Sequence, residues 1–548
     1  MAKPAYDYIV AGAGSAGCVV AARLSEDPDV RVLLVEAGGT DRSVVVQMPA
    51  AVGHAILSRR FNWRLRSEPE PGLNGRGINT PRGRGLGGSS SINGMIYIRG
   101  HALDYDRWAF DEGCPGWSYG EVLPYFRRAE DHQAGEDAWH GIGGPLHVRG
   151  GTRHRDNPLY DAFIAAGVAA GYPTTADVNG AEQEGFGRWE MTVKGGRRWS
   201  TANAYLHPAR RRKNLTVVTS AHVSRVVVEN GRAVGLAMIR GGTEEVCHAE
   251  REVIVCAGAI ASPHILMLSG IGPADELGRH GIAVRHDVAG VGANLHDHLE
   301  IHVQQACSQP ITLYRELRPH RMLMTGLSWL ATRTGIGATN HYEAGAFVSS
   351  RPDVPHPDQQ IHFLPLAYAS LADRRVTEHG YRAHVGPIRP HSRGRLWLAS
   401  NDPLTPPRFR FDYLADPRDA EAMRVSVRLG REVFAQAPFD PFRGRELSPG
   451  AEVRTDAEVD AWVAAHAESA YHPAGSCRMG SDADAVVDAE CRVRGVLGLR
   501  VVDASIMPSI VSGNLNAPVI MMAEKAADLI AGKPPLPRHD PRQTGGLG

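Results

Sequence analysis

The stretch Tyr6–Leu24, YDYIVAGAGSAGCVVAARL, decides the fold. An apolar run leads into Gly12, Gly14 and Gly17, which fit the spacing G-x-G-x-x-G, and an apolar helical pattern follows. Glycines at this spacing allow a tight turn, close approach of the backbone to a pyrophosphate, and close packing of the helix on the strand. A second apolar strand, VRVLLVEAGG, carries Glu36 where a carboxylate would bind ribose hydroxyls. The pattern predicts a dinucleotide-binding βαβ unit for NAD or FAD, with an ordinary βαβ turn as the alternative.

The composition gives no support for a nucleic-acid-binding, disulfide-rich or membrane-spanning protein. The chain has 548 residues, which is long enough for two domains or one large composite. Its 60 Lys plus Arg balance 60 Asp plus Glu, so nothing global supports a nucleic-acid partner, and the basic run 210–213 is interpreted as solvated surface. The seven cysteines include no C-x-x-C pair, which predicts a reducing, cytoplasmic setting. No apolar run reaches 18 residues, so peripheral contact with the inner face of the cytoplasmic membrane stays open.

A second glycine-rich segment, GRGLGGSSSING, spans 83–94. Glycine and serine are too frequent here for a helix interior. The apolar sequence MIYI that follows argues against the alternative of a flexible linker. We therefore expect backbone that approaches a flat ligand closely and donates N–H groups to it.

Strand–helix signals recur in the middle and at the end of the chain. EVIVCAGAIASPHILMLSGIG (252–272) predicts a strand, a glycine turn and a helix entered at Ser262-Pro263, with the proline in its first turn. Near the end, LRVVD predicts a strand that leads into Asp503-Ala504, and an amphipathic helical pattern follows. These patterns predict that segments from the middle and the end of the chain belong to the same nucleotide-binding domain as the N-terminal segment.

Region 311–459 differs, because it is richer in proline and aromatic residues and lacks glycine turns between strands and helices. The sequence therefore predicts an α/β fold, α+β overall: a Rossmann-like domain, discontinuous in sequence, with an inserted substrate domain of antiparallel sheet and helices. We expect the first domain at 1–155, 201–310 and 460–532, the inserted domain at 156–200 and 311–459, and a disordered tail at 533–548.

Together these segments resemble the glucose–methanol–choline (GMC) oxidoreductases, FAD enzymes that oxidise alcohols. The resemblance rests on GAGSAG with Glu36, GRGLGGSSSIN, GAIASPHILMLSGIG, GVGANLHDH, YHPAGSCRMG, and VVDASIMP with GNLNAP, which occur in this order over nearly the whole chain. The inserted region, with GATNHYEAGAF, IHFLPLAYA, EHGYRAHVG and FRGRELSPG, is most similar to that of bacterial choline dehydrogenases. SINGMIYIRGH and YHPAGSCRMG are at least as similar to dehydrogenases of aliphatic primary alcohols.

The resemblance implies that the cofactor is FAD. It implies contacts from both glycine-rich segments, the acid and its neighbour, a residue at the adenine end, and the turn after the last strand: Gly12, Gly14, Ser15, Gly17, Glu36, Ala37, Gly87, Ser90, Asn93, Gly94, Val223, Asp503 and Ala504. Some members of the family tether the flavin through a histidine at the position of Ile92. Because isoleucine cannot form that bond, we expect non-covalent FAD.

The same resemblance identifies the residues of catalysis. In AYHPAGSCRMG (470–480), His472 matches the residue that faces the flavin and serves as the base. Alcohol oxidation removes a hydroxyl proton and passes a hydride to flavin N5, and a histidine with an ordinary pKa of ~6.5 suits that task. Asn516, in SGNLNAP, matches the second active-site position, where its amide would donate to the alkoxide oxygen. The alternative for His472 is a loop residue without a catalytic task.

Two other groups carry reactive side chains. Cys477 is interpreted as structural, because nothing elsewhere suggests acyl or phosphoryl chemistry. His296, Asp297, His298 and His302 could ligate a metal, but the family needs none, so no metal is expected.

The substrate expected from the resemblance is choline, oxidised to betaine aldehyde. Its quaternary ammonium would be bound by aromatic faces and a carboxylate. Glu343, in NHYEAGAF, matches a position that faces the substrate cation in choline-oxidising relatives, with Tyr342 beside it; a structural ion pair is the alternative. The electron acceptor would be a quinone or the respiratory chain. Other primary alcohols, oxygen as acceptor and cyanohydrin cleavage stay open, and no oligomeric state is predicted.

Overall fold

The structure, a computed structural model, describes residues 6–150, 157–368 and 378–544. The strands of its two large sheets are, in chain order, β1 (Tyr6–Ala11), β2 (Val32–Val35), β3 (Gly185–Arg188), β4 (Leu215–Val218), β5 (His222–Glu229), β6 (Arg232–Arg240), β7 (Thr243–Val255), β8 (Leu299–Cys307), β9 (Ala344–Val348), β10 (Gln359–Leu364), β11 (Gly380–Pro387), β12 (Arg443–Ser448), β13 (Glu468–Ser469) and β14 (Leu499–Val501). Shorter strands form small ladders at Leu65–Arg66 with Asn79–Thr80, Glu130–His132 with Leu146–Gly150 and Glu190–Met191, Val193–Lys194 with Arg197–Arg198, Ile271–Gly272 with His286–Asp287, and Arg395–Trp397 with Arg408–Arg410. The helices are α1 (Ser15–Leu24), α2 (Val44–Gln47), α3 (Val52–Leu57), α4 (Ala102–Phe110), α5 (Tyr119–Ala129), α6 (Pro158–Ala169), α7 (His207–Ala209), α8 (Gly258–Leu268), α9 (Ala274–Arg279), α10 (Pro319–Thr332), α11 (Pro417–Ala435), α12 (Asp456–His466), α13 (Asn516–Ile530) and α14 (Pro541–Thr544).

Parallel strands form the centre of the first sheet, whose order is β4-β2-β1-β7-β6-β5, with β14 beside β7. β1 pairs in parallel with β2 and β7, and β7 pairs in parallel with β14. The sequence of β2 is VLLV and all four residues are buried, as expected for a strand covered on both faces. α1 is buried along most of its length and packs against α13. The predicted Rossmann-like unit is therefore confirmed.

α8 begins earlier than the sequence predicts. Pro263 lies inside this helix, which starts at Gly258, so the predicted entry at Ser262 is wrong. A proline inside a helix leaves the carbonyl four residues earlier without its N–H donor. That carbonyl, of Ala259, accepts a hydrogen bond from the hydroxyl of Ser476 instead. The loop that contains Ser476 therefore replaces the bond that the proline removes.

The second sheet is antiparallel, with the order β12-β8-β11-β10-β9-β3 and β13 beside β8. Its strands β9 to β12 come from the region that the sequence assigned to the inserted domain. β8 also lies in this sheet, so the boundary predicted at residue 310 falls after this strand rather than before it. β8 is buried along nearly its whole length although every second residue from Glu300 to Gln304 is polar. The boundary predicted at 155–156 lies outside the described residues.

The chain after α13 packs on the protein, contrary to the predicted disordered tail. The N–H of Leu536 donates to the hydroxyl of Tyr125 at 3.1 Å. The N–H of His539 donates to the carbonyl of Gly120 at 2.8 Å. Both acceptors belong to α5, so residues 533–544 are held by this helix, while 545–548 lie outside the described residues.

Candidate active site

A cavity of about 750 Å³ is lined by residues of both sheets. One side follows the carboxyl ends of the parallel strands, where open α/β sheets bind ligands. The other side consists of side chains from the second sheet. We call the first the glycine wall (Gly12, Gly14, Glu36, Gly88 and Gly94) and the second the carboxylate wall (Glu300, His302, His362, His384 and Glu468).

Glycine is required at several positions in and directly behind the glycine wall, because backbone segments touch there. A Cβ on Gly17 would lie 1.8 Å from the carbonyl oxygen of Gly12, and a Cβ on Gly88 would lie 2.6 Å from Cα of Gly14. Gly12 itself has a φ of +103°, which disfavours other residues. α1 starts at Ser15 with no side-chain cap and no acid in its first turn, so its N–H groups point to the cavity unpaired by the helix. The loop and the helix start therefore fit a pyrophosphate.

Glu36 connects three segments of the glycine wall. Its carboxylate accepts hydrogen bonds from the N–H groups of Ala13 (2.9 Å), Gly38 (2.7 Å) and Gly85 (2.9 Å). Burial raises the pKa of this carboxyl, and the three N–H donors oppose that shift. A carboxylate offers about four lone-pair positions, so the three bonds leave room for one hydroxyl donor from a ribose.

Most of the residues predicted to bind the cofactor line the cavity: Gly12, Gly14, Ser15, Glu36, Ala37, Asn93, Gly94, Val223, Asp503 and Ala504. Gly17, Gly87 and Ser90 lie behind the lining, so their contact with the cofactor stays a prediction. The N–H of Gly87 donates to the carbonyl of Ala13 at 2.8 Å, and the hydroxyl of Ser90 donates to the carbonyl of Gly87 at 2.6 Å. They shape the loops that touch the cavity instead of touching it.

A chain of hydrogen bonds fixes the tautomer of His472. Burial lowers the pKa of His298 to about 4, so this ring is neutral near pH 7. Its Nε2 lies 3.1 Å from the carbonyl oxygen of Ile388, which can only accept, so Nε2 carries the proton. The unprotonated Nδ1 of His298 lies 3.0 Å from Nδ1 of His472, which must therefore donate. The lone pair of His472 is thus placed on Nε2.

Asn514 contacts this lone pair, whereas the sequence predicted Asn516. Nδ2 of Asn514 lies 3.2 Å from Nε2 of His472, and its Oδ1 faces Gln360 and His362 at 3.3 and 3.4 Å, which sets the orientation of the amide. Asn516 is the first residue of α13, and its Oδ1 accepts from the hydroxyl of Ser15 at 2.8 Å. The helix start turns Asn516 toward the glycine wall, so Asn514 rather than Asn516 is the asparagine that contacts His472.

A buried carboxylate anchors the loop that carries His472. The backbone N–H of His472 donates to Oδ1 of Asp297 at 2.7 Å. Oδ2 of Asp297 accepts from the hydroxyl of Tyr413 at 2.7 Å and from the hydroxyl of Ser469. Burial, with His298 nearby, lowers the pKa of His472 well below 6.5. His472 is therefore held in place and neutral, as a proton acceptor must be.

Glu300 is the acid that faces the cavity from β8. Its Oε1 accepts from Nδ1 of His384 at 2.8 Å and from Nε2 of His302 at 3.2 Å. Burial lowers the pKa of both histidines, that of His302 to about 3, so both are neutral. Both bonds go to Oε1, and no described residue donates to Oε2. Tyr342, Tyr368 and Tyr471 line the same end of the cavity.

Glu343, which the sequence predicts to face the substrate cation, does not line the cavity. Its Oε1 accepts from the hydroxyl of Thr339 at 2.5 Å. Tyr342, the other predicted substrate residue, does line the cavity, and neighbouring residues of an extended chain point to opposite sides. Sequence reasoning missed Glu300, although the alternation of Glu300, His302 and Gln304 is the signal of a strand with one polar face.

The remaining reactive residues have structural partners. Asp297, His298 and His302 make the bonds described above, and Nδ1 of His296 lies 2.5 Å from the carbonyl oxygen of Asn294. Cys477 is fully buried, and burial raises the pKa of its thiol well above the usual range. Its interpretation as a structural residue agrees with this environment.

Family models of the GMC oxidoreductases match residues 6–300 and 390–523. The chain belongs to the GMC oxidoreductase family, whose members are FAD-dependent enzymes. Binding of FAD explains why the glycine wall fits a dinucleotide. The chain is 52% identical over 541 residues to an oxygen-dependent choline dehydrogenase of Paraburkholderia phymatum, covering 98% of this chain and 94% of that protein.

Solved structures of the same class superpose on the fold. Pyridoxine 4-oxidase from Mesorbium loti is 33% identical, with a TM-score of 0.87 and coverage of 96% of this chain and 100% of that one. An FAD-dependent oxidoreductase from Chaetomium thermophilum is 26% identical, with a TM-score of 0.86 and coverage of 96% and 99%. The similarity therefore extends over both sheets.

Proposed function

We propose that the chain oxidises choline to betaine aldehyde. The observation that carries this proposal is the end of the cavity next to His472, where Glu300 lies with Tyr342, Tyr368 and Tyr471. A quaternary ammonium has no N–H to donate, so it is bound by aromatic faces and a carboxylate. Oε2 of Glu300, which no described residue contacts, is suited to the cation. The relative named above, a choline dehydrogenase, supports this assignment.

His472 and Asn514 carry out the proton chemistry. FAD held along the glycine wall would supply the acceptor for the hydride of the α-carbon. Nε2 of His472 takes the hydroxyl proton, because its lone pair is the acceptor that the hydrogen-bond chain exposes. The amide of Asn514, 3.2 Å from that nitrogen, donates to the alkoxide oxygen as charge develops. His298 holds the ring in the required tautomer throughout.

The structure supports non-covalent FAD in this proposal. Ile92 lines the cavity at the position where some relatives have a tethering histidine. An aliphatic side chain offers no nucleophile to the flavin. Acid precipitation of the holoenzyme should therefore release all yellow flavin into the supernatant, and flavin retained in the pellet would contradict this.

The test is anaerobic flavin reduction by choline and by its neutral isostere 3,3-dimethylbutan-1-ol. We expect the wild-type enzyme to prefer choline, and Glu300→Gln to weaken choline binding about 100-fold while hardly changing that of the isostere. Glu343→Gln, which alters a buried carboxylate outside the cavity, is the matched control. Reduction by butanol or benzyl alcohol with choline inert would favour another primary-alcohol dehydrogenase, and cyanohydrin cleavage without reduction would indicate a lyase.

We further propose that α10 contacts the inner face of the cytoplasmic membrane and that a membrane quinone is the electron acceptor. Along α10, Leu323, Met324 and Leu327 are 63%, 66% and 57% exposed, which is unusual for apolar side chains on one helix. Met322, on the same helix, lines the cavity, so the apolar surface is continuous with the cavity entrance.

Charge around α10 favours anionic lipid. Segment 313–333 contains Arg315, Arg318, Arg321 and Arg333, with Glu316 as its acid. Apolar side chains flanked by arginines are typical of helices that lie in the membrane interface. No described helix is both long and apolar enough to cross a membrane. The seven cysteines are all free thiols.

Sedimentation with vesicles tests this contact. The enzyme should bind vesicles that contain phosphatidylglycerol more strongly than pure phosphatidylcholine vesicles. Leu323→Asp with Leu327→Asp should abolish binding while choline-dependent flavin reduction stays unchanged. Leu497→Asp, at a 67% exposed site away from the cavity lining, is the control. Equal binding by both variants would contradict the proposal.

A further inference from the structure

We propose that Glu468 is a second carboxylate for the substrate cation and sets the preference of the enzyme for cationic over neutral alcohols. The inference rests on the proposed oxidation of choline. Glu468 lies on β13, which pairs antiparallel with β8 so that Glu468 is directly opposite Glu300. Residues opposite each other in antiparallel strands have side chains on the same face, with Cβ atoms about 5 Å apart. Both line the cavity.

The two carboxylates differ in their bonds to the protein. Glu300 is held by His302 and His384, as described above. For the carboxylate of Glu468, no hydrogen bond and no ion pair within 4 Å is found to any residue in the described ranges. A mostly buried carboxylate without a partner is costly, because its charge loses solvation without gaining a hydrogen bond. A bound cation would supply the missing partner.

The charged groups around Glu468 leave room for one more positive charge. From β11, Arg382 is fully buried and places its guanidinium 3.4 Å from the ring centroid of Tyr368. Arg76 is half-buried, and its guanidinium donates to the carbonyls of Ala464 and Ala467. Both arginines favour the ionised form of Glu468, but only Arg382 is fully buried beside the carboxylates, because the guanidinium of Arg76 is bound to backbone carbonyls.

The histidines and tyrosines around Glu468 are uncharged. Burial lowers the pKa of His302 and His384 on the second sheet and of His472 on the neighbouring loop. Burial raises the pKa of the tyrosines Tyr342 and Tyr471 well above the usual range, so their hydroxyls stay protonated. None of these groups balances the second carboxylate.

The same surroundings predict how Glu468 responds to pH. Burial, and then the charge of Glu300, raise the pKa of Glu468 above its ordinary value. A trimethylammonium group in the cavity favours the ionised form. The preference for choline over 3,3-dimethylbutan-1-ol should therefore increase with pH as Glu468 loses its proton.

The test uses the FAD-loaded full chain and compares Glu468→Gln with the wild-type enzyme. We expect kcat/KM for choline to fall about tenfold through a higher KM, with kcat and the reaction of 3,3-dimethylbutan-1-ol little changed. The rise of the choline preference with pH should disappear. Glu468→Asp, which keeps the charge, should restore part of the preference, and Glu421→Gln on the exposed face of α11 should have no effect.

Other results would overturn the inference. Equal losses for both alcohols would indicate a structural role for Glu468, and an unchanged preference in Glu468→Gln would show that it does not meet the cation. These outcomes are distinct from failure of the proposed function, in which the wild-type enzyme itself would not be reduced by choline. Flavin content and circular dichroism of each variant separate loss of folding from loss of recognition.

Discussion

The glycine wall presents mainly backbone to the cavity, whereas the carboxylate wall presents charged and polar side chains. On the glycine wall, contacts such as that between Gly88 and Gly14 depend on the absence of a side chain. On the carboxylate wall, Glu300, His302 and His384 depend on the pairing of β8 with β11, which joins residues about 80 positions apart. Where backbone touches backbone, as at Gly12 and Gly88, an added atom has no room, while a wall built from side chains can change its chemistry within one fold.

The largest effect should come from adding one carbon directly behind the glycine wall. In Gly17→Ala the new Cβ would lie 1.8 Å from the carbonyl oxygen of Gly12, so the loop must move. We expect the purified variant to lack FAD, measured as loss of the flavin absorbance per protein. Gly39→Ala is the control, because a Cβ there has nothing within 4 Å. Normal flavin content in Gly17→Ala would show that the backbone contacts behind the glycine wall can accept an added carbon, against the contrast between the two walls.

Loss of the base should leave FAD bound but almost stop its reduction. We expect His472→Ala to slow anaerobic reduction by choline by about 10²–10⁴-fold, the usual range for a positioned general base. Because His472 belongs to the side-chain part of the cavity, the flavin content should match that of the wild-type enzyme. His248→Ala, at an exposed position, is the control. Unchanged reduction in His472→Ala would refute its role as the base.

Asn514, just before α13, and Asn516, its first residue, are close in sequence but contact different walls of the cavity, so their variants should differ in activity. Asn514→Ala should slow flavin reduction by about 10–100-fold, because the donor to the alkoxide oxygen is lost. Asn516→Ala removes only the bond to Ser15 and should leave the reduction step nearly unchanged. Stopped-flow absorbance measures both. The reverse ranking would restore the assignment that the sequence predicted.

The sequence predicts the parts of the site that depend on local spacing, and it misses the parts that depend on contacts between distant segments. Gly12, Gly14 and Glu36 belong to a local pattern, since spacing along the chain determines where a loop and a helix start meet. The base His472 was also predicted, through a family block. Glu300 and Asn514 were not, because their positions depend on strand pairing and on where α13 begins.

The smallest effect concerns the response of stability to acid. Burial lowers the pKa of His302 from 6.5 to about 3, so the unfolded chain binds more protons than the folded one between these values. This stabilisation is present above pH 6.5 and is lost as the pH falls toward 3, by about 3 kcal/mol at pH 4.5 and up to about 5 kcal/mol in all. His302→Gln should therefore show a smaller drop in Tm between pH 6.5 and 4.5 than the wild-type protein. The exposed variant His248→Gln is the control, and an unchanged slope for His302→Gln would contradict the prediction.

The scattered origin of the carboxylate wall limits how new substrate ranges can be engineered. Its residues come from four separate strands: β8, β10, β11 and β13. A chimera that exchanges a single stretch with a relative would set foreign aromatic residues against the resident carboxylates. Recombination libraries should therefore move these four blocks together, whereas the glycine wall can serve as the constant scaffold of every member.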